Sequence, residues 1–83
     1  MKALLLATFL IGGGPPSEQV RTVTNNVIDA SECKSAMMTV VKHAGLKNHI
    51  KSSGPTHIRA SKEGSLLVGN TSVNVTCNPI KGE

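Results

Sequence analysis

The stretch Asp29-Ala30-Ser31-Glu32-Cys33-Lys34-Ser35-Ala36-Met37-Met38-Thr39-Val40-Val41-Lys42-His43-Ala44-Gly45 decides the fold. Asp29 stands at an N-cap position with Glu32 three residues later, the spacing of a capping box. Apolar residues recur at Cys33, Ala36, Met37, Val40, Val41 and Ala44, the spacing of one helix face. Lys34, Ser35, Lys42 and His43 fall largely on the other faces. Gly45 occupies the place of a left-handed C-cap, and Leu46 after it can pack back on the last turn. The pattern predicts a helix over residues 30–44, with Met37 and Met38 as core filling. Its apolar stripe demands a sheet to pack on.

Downstream, a polar stretch is followed by Gly54-Pro55, which marks a turn. Residues 56–60 read as a strand with Thr56, Ile58 and Ala60 on one face and His57 and Arg59 on the other. Ser61-Lys62-Glu63-Gly64 reads as a hairpin loop ending in glycine. Residues 65–69 read as a second strand, and Gly69-Asn70 suits a tight reversal. Residues 71–77 alternate, with Val73, Val75 and Cys77 on one side and Ser72, Asn74 and Thr76 on the other, and Pro79 ends the run. Upstream, residues 19–23 favour extended structure and Asn25-Asn26 reads as a turn. The expected fold class is α+β: one helix packed on a small antiparallel sheet of three to four strands. Residues 19–83 form a single small globular domain in this reading.

Both cysteines fall on faces expected to be buried, Cys33 on the helix stripe and Cys77 on the strand face with Val73 and Val75. If the helix packs on the sheet, the two sulfurs point into one interface, and an exported two-cysteine domain forms Cys33–Cys77. Closing a loop of that span stabilises the fold by about 4 kcal/mol in the chain-entropy model. Such a staple is needed. The chain has 83 residues and a single aromatic, Phe9, so a core built from small aliphatic side chains is thin.

The net charge is +4, from nine Lys+Arg against five Asp+Glu. The positive residues are spread along the chain, with neither the stacking aromatics nor the basic stripe that nucleic-acid binding calls for. No nucleic-acid partner is expected, and the body reads as a monomer.

Met1-Lys2 followed by Ala3-Leu4-Leu5-Leu6-Ala7-Thr8-Phe9-Leu10-Ile11 has the layout of a bacterial secretory leader, with small residues next at Gly12, Gly13 and Gly14. The run is too short for a transmembrane helix, which needs roughly 20 apolar residues. Leu10-Ile11-Gly12 matches the three residues that precede the lipid-modified cysteine of bacterial lipoprotein signals, and position 13, where that cysteine belongs, is glycine. Glycine offers no thiol for a diacylglyceryl group. A cysteine replaced by Gly13 and an ordinary leader with a glycine-rich end both fit these residues. Residues 1–12 are thus read as a lipoprotein-type signal segment and residues 13–18 as a flexible tether.

No enzyme site is readable. A cysteine committed to a disulfide cannot attack a substrate. His43, His49 and His57 lack metal-ligand spacing. Glu18, Asp29, Glu32, Glu63 and Glu83 are separated. No cofactor, metal or catalytic residue is expected. Asn70-Thr71-Ser72 and Asn74-Val75-Thr76 match the glycosylation sequon, but behind a bacterial-style leader they read as strand residues.

A leader ending Leu10-Ile11-Gly12, a tether, a helix opened by Ser31-Glu32-Cys33-Lys34-Ser35 and a strand closing on Val75-Thr76-Cys77 together resemble the lytic-conversion, or superinfection-exclusion, lipoproteins of tailed phages of enteric bacteria. The resemblance covers the layout of the whole chain. It implies a protein of the periplasm, held on the inner leaflet of the outer membrane when lipidated. It also implies a partner: the host's outer-membrane phage receptor, typically the ferrichrome-type TonB-dependent transporter, bound and inactivated from the periplasmic side. Carried over by position, Cys33 and Cys77 match the disulfide and Gly13 the lipid site, so the parent form reaches the membrane through its N-terminal lipid and this form does not. The exposed edge of residues 71–76 and the loop of residues 48–56 are the expected docking segments. An envelope-maintenance lipoprotein without a phage role and a small secreted toxin or inhibitor are the alternative readings.

Overall fold

A computed structural model of the chain describes residues 1–12, 20–63 and 70–80. Five strands form one antiparallel sheet: β1 (Lys2–Gly12), β2 (Val20–Asp29), β3 (Ile50–Ser53), β4 (His57–Lys62) and β5 (Asn70–Pro79), in the order β2-β1-β5-β4-β3. One helix, α1 (Cys33–His43), lies over β1, β5 and β4. The α+β class therefore stands, with five strands where the sequence reading gives three to four.

The two extra strands have separate causes. β1 is the segment that reads as a leader. Its residues alternate in burial, with Ala3, Leu5 and Ala7 in the core while Leu4 is exposed. Alternation suits a strand paired on both sides, and β1 pairs with β2 along Lys2↔Asp29 to Ile11↔Val20 and with β5 along Ala3↔Pro79 to Gly12↔Asn70. The fold described is that of a chain with residues 2–12 in place. β3 comes from the polar stretch Ile50-Lys51-Ser52-Ser53, which carries only one apolar residue and so has no readable alternation.

The helix begins later than its pattern predicts. Residues 30–32 form a 3-10 turn and α1 starts at Cys33. Asp29 is extended (φ −71°, ψ 137°) and makes no side-chain cap bond. Its carboxylate accepts a bond from the Lys2 ammonium at 2.8 Å instead, joining the ends of β1 and β2. The end of the helix follows the sequence. Gly45 has φ 75°, its N–H donates to the Lys42 carbonyl, and the Leu46 N–H donates to the Val41 carbonyl. This is a Schellman termination, and it delivers Leu46 into the core.

Asn25-Asn26 makes no turn. Both asparagines lie within β2, paired with Leu6 and Leu5, because the ten-residue ladder with β1 outweighs their local preference. β4 continues through Lys62, two residues into the expected hairpin loop. The strand expected over residues 65–69 lies outside the described residues.

The core comprises Ala3, Leu5 and Ala7 from β1, Ile58 and Ala60 from β4, Val73, Val75 and Cys77 from β5, Met37 and Val41 from α1, and Leu46. Alanines beneath the helix let it approach the sheet closely. Phe9 packs at the margin of this cluster, so the one aromatic ring of the chain belongs to the folded body.

Candidate binding surface

The disulfide is where the helix stripe and the strand alternation jointly place it. Cys33 opens α1 and Cys77 is fully buried in β5; their Cα atoms are 5.8 Å apart and their sulfurs are bonded across 44 residues of sequence. The bridge ties the start of the only described helix to a strand in the middle of the sheet. Both cysteines of the chain are used in it. No thiol is left to act as a nucleophile or a metal ligand.

Beside the bridge is a cavity of about 550 Å³ lined by Cys33, Lys34, Met38, Ile50, Pro55 and Ile58, among others. It lies between the start of α1 and the β3–β4 hairpin. The hairpin is closed by the Gly54 N–H, which donates to the His57 carbonyl at 2.8 Å, and is moored to β5 by the Cys77 N–H, which donates to the Thr56 carbonyl at 2.9 Å. A Cβ on residue 54 would stand 2.7 Å from Cε1 of His57, so glycine is needed for the ring to lie where it does. The ring's Nε2 is 3.1 Å from Ser52 Oγ, an exposed hydrogen bond across the hairpin. Among the described residues no carboxylate hydrogen-bonds to His57, and the serine contact orients the ring.

The segment over residues 48–56, expected as a loop, is thus a 3-10 turn, a short strand and a hairpin end. Residues 71–76 are not an edge. They belong to β5, which is paired on both sides, with β1 and with β4. The sheet's edges are β2 and β3. On the face away from α1, Leu4 on β1 and Val23 and Val27 on β2 are exposed. These valines, the cavity lining and the Ser52–His57 contact escaped the sequence reading. Val23 and Val27 are four apart in a run rich in Thr and Asn, which carries too few apolar residues to mark a face.

His43, His49 and His57 stand at the end of α1, in the following 3-10 turn and at the start of β4. Among the described residues no three His, Cys, Asp or Glu side chains come close enough to hold a metal ion. Position 13 lies outside the described residues. The Lys2–Asp29 pair lies at the surface; the hydrogen bond between them and their mutual attraction lower the Asp29 carboxyl's pKa and raise that of the Lys2 ammonium. No described helix is long and apolar enough to cross a membrane.

The arrangement defines a disulfide-stapled α+β domain with one helix on a five-stranded antiparallel sheet. No protein-family model, curated protein or solved structure matches the chain.

Proposed function

We propose that this chain is a small binding protein of an oxidising compartment outside the cytoplasm, acting by occupying another protein rather than by transforming a substrate. In the reading favoured by the sequence resemblance, the target is a ferrichrome-type outer-membrane phage receptor. It is engaged from the periplasmic side, so that further phage cannot use it. The observation that carries the reading is the disulfide frame around the hairpin. Cys33–Cys77 fixes the start of α1 to β5 beside the 550 Å³ cavity, and the exposed hairpin end at Pro55 and Thr56 rises next to it. A fixed hairpin with a cavity behind it suits insertion at the mouth of a barrel. A pocket of that size takes one or two anchoring side chains of a partner. The bridge also supports the compartment, since such bonds persist where thiols are not kept reduced.

In this proposal the binding form keeps residues 2–12 as β1, which supplies Ala3, Leu5 and Ala7 to the core. With glycine at position 13 there is no thiol to acylate, so this form is not anchored there and β1 stays with the body.

The test exports residues 1–83 behind an independent cleavable leader in an enteric host challenged with phages that use different receptors. Protection should be confined to phages sharing one receptor. It should disappear in the Pro55→Glu/Thr56→Glu variant while the disulfide and fold persist. A folded, exported protein that protects against no phage sinks the exclusion reading.

A further inference from the structure

The charges of the chain are divided unevenly along it. From Cys33 to Lys62 there are six Lys and Arg residues and no Asp or Glu, while the remainder sets Lys2, Arg21 and Lys81 against all five acids. The acid-free run comprises α1, the 3-10 turn after it, β3 and β4. It supplies the lining of the cavity of about 550 Å³, apart from Ala30 and Ser31. Cys33, Met38, Ile50, Pro55 and Ile58 give that cavity an apolar wall, and among the described residues lining it Lys34 alone carries a charge. β3 adds exposed Lys51 between two lining residues, Ile50 and Ser53. The carboxylates nearest in sequence act elsewhere. Asp29 accepts a bond from the Lys2 ammonium, and Glu32, outside the lining, joins Asp29 as the lesser influence raising the pKa of that same ammonium. Both walls are fixed, one by the Cys33–Cys77 bridge and the other by the Cys77 N–H, which donates to the Thr56 carbonyl.

We propose that this cavity docks an acidic segment of a partner protein, one large apolar side chain entering it while flanking Asp or Glu residues meet Lys34 and Lys51. The proposal rests on the protein-binding reading above and gives that partner a chemistry. Charge complementarity selects the occupant. Positive groups at the mouth draw in a segment that carries carboxylates and repel one that carries Lys or Arg. The apolar wall then supplies the affinity, because a desolvated anchor in a pocket contributes more than charges at a wet rim. A bilayer fits this geometry poorly. A protein that lies on a membrane presents a projecting apolar face, whereas α1 turns Met37 and Val41 into its own core and the cavity is concave. A nucleic acid fits no better, since the acid-free run holds no aromatic side chain on which a base could stack.

The test is proton–nitrogen correlation NMR on the oxidised full chain, titrated at low salt with short blocked peptides up to millimolar concentration. The probe is acetyl-Asp-Glu-Phe-Leu-Asp-Glu-amide. One control replaces its acids by Lys, and the other replaces Phe and Leu by Ser. The probe should shift the amides of Met38, Ile50 and Ser53, and each control should bind at least about tenfold more weakly. The Lys34→Glu/Lys51→Glu variant changes two exposed side chains, and it should keep the fold and lose affinity for the probe by at least about tenfold. If that variant does not fold, salt decides: screening should weaken the probe several-fold on the unchanged protein. A probe that leaves the cavity amides in place overturns the proposal, and so does a basic control that binds equally well. So does a cavity that responds to decanoate and not to the peptide, which would be a small-molecule site. So does a chain that sediments with phosphatidylglycerol vesicles and ignores the peptide. The phage challenge fails separately. Protection without peptide binding would sink this site and leave the exclusion reading, and peptide binding without protection would do the reverse.

Discussion

Gly45 holds φ at 75°, a left-handed conformation that costs any residue with a Cβ, and it does so with open space around it. A substitution there is therefore a test of backbone strain with no clash added. Gly45→Ala should destabilise the fold by about 1 kcal/mol, the cost of holding a non-glycine residue at positive φ. Urea unfolding with an unchanged m-value checks it. The same change also loosens the delivery of Leu46, which enters the core only because the Schellman turn reverses the chain within two residues. A cost well above this range would mean that the substitution shifts Leu46 as well. Gly54 is a different case. Its missing Cβ makes room for the His57 ring, so its requirement is set by the side chain it faces.

At the scale of elements, β1 carries the largest consequence. Leu5 lies 7% exposed, between β2 and β5 and under the helix. Leu5→Ala in the full chain should cost about 2–3 kcal/mol in denaturant unfolding, the usual range for a leucine truncated in a core. A cost near zero would mean that residues 2–12 do not hold the sheet in solution. The Lys2–Asp29 pair at the open end of the β1–β2 ladder adds a pH signature. The Asp29 carboxyl is held below its ordinary value, so its contribution is present above about pH 3.9 and is lost as pH falls through the lowered value. The Lys2 ammonium is held above its ordinary value, so its contribution is present below about pH 10.4 and is lost as pH rises through the raised value. Hydrogen exchange at the Ala30 amide, which is bonded to the Met1 carbonyl, should accelerate at both extremes relative to amides inside the ladder. Lys2→Ala should remove that dependence.

The elements also show what the sequence made legible. α1, β4 and β5 each carry a hydrophobic period that only one secondary structure satisfies, and all three are found within a few residues of where that period puts them, α1 starting at Cys33 and stopping at its glycine. β1 was obscured because residues 3–11 are apolar at every position but Thr8, the composition of a leader. β2 was half legible. Its first residues are mostly β-branched, but Asn25 and Asn26 lie one on each face of an edge strand and both stay exposed, so no apolar alternation marks them. Of the site, the disulfide was readable because each cysteine sits on a periodic face. The cavity and the Ser52–His57 contact depend on a hairpin whose polar strand has no period.

For the whole molecule, the deciding quantity is how little the core supplies by itself. Its largest fully buried side chains are Met37, Leu46 and Val41, with no aromatic among them, and the helix covers only part of one face of the sheet. Small domains with such cores depend on a staple. Cys33–Cys77 spans 44 residues, and in the chain-entropy model a loop of that length stabilises by about 4 kcal/mol, comparable to the net stability of many small domains. The Cys33→Ser/Cys77→Ser variant, or the wild-type chain under strong reductant, should therefore melt roughly 15–30 °C lower by calorimetry. On the proposed function, reduction should weaken partner binding as the fold loosens, since the bridge anchors α1 beside the hairpin and the cavity. The two effects are separable. In the oxidised protein, the Pro55→Glu/Thr56→Glu change should remove binding with the melting temperature kept. In the reduced protein, binding and melting temperature should fall together. A reduced chain that melts within a few degrees of the oxidised one would show that the five-stranded sheet suffices without its staple. The proposed oxidising compartment would then lose its physical support.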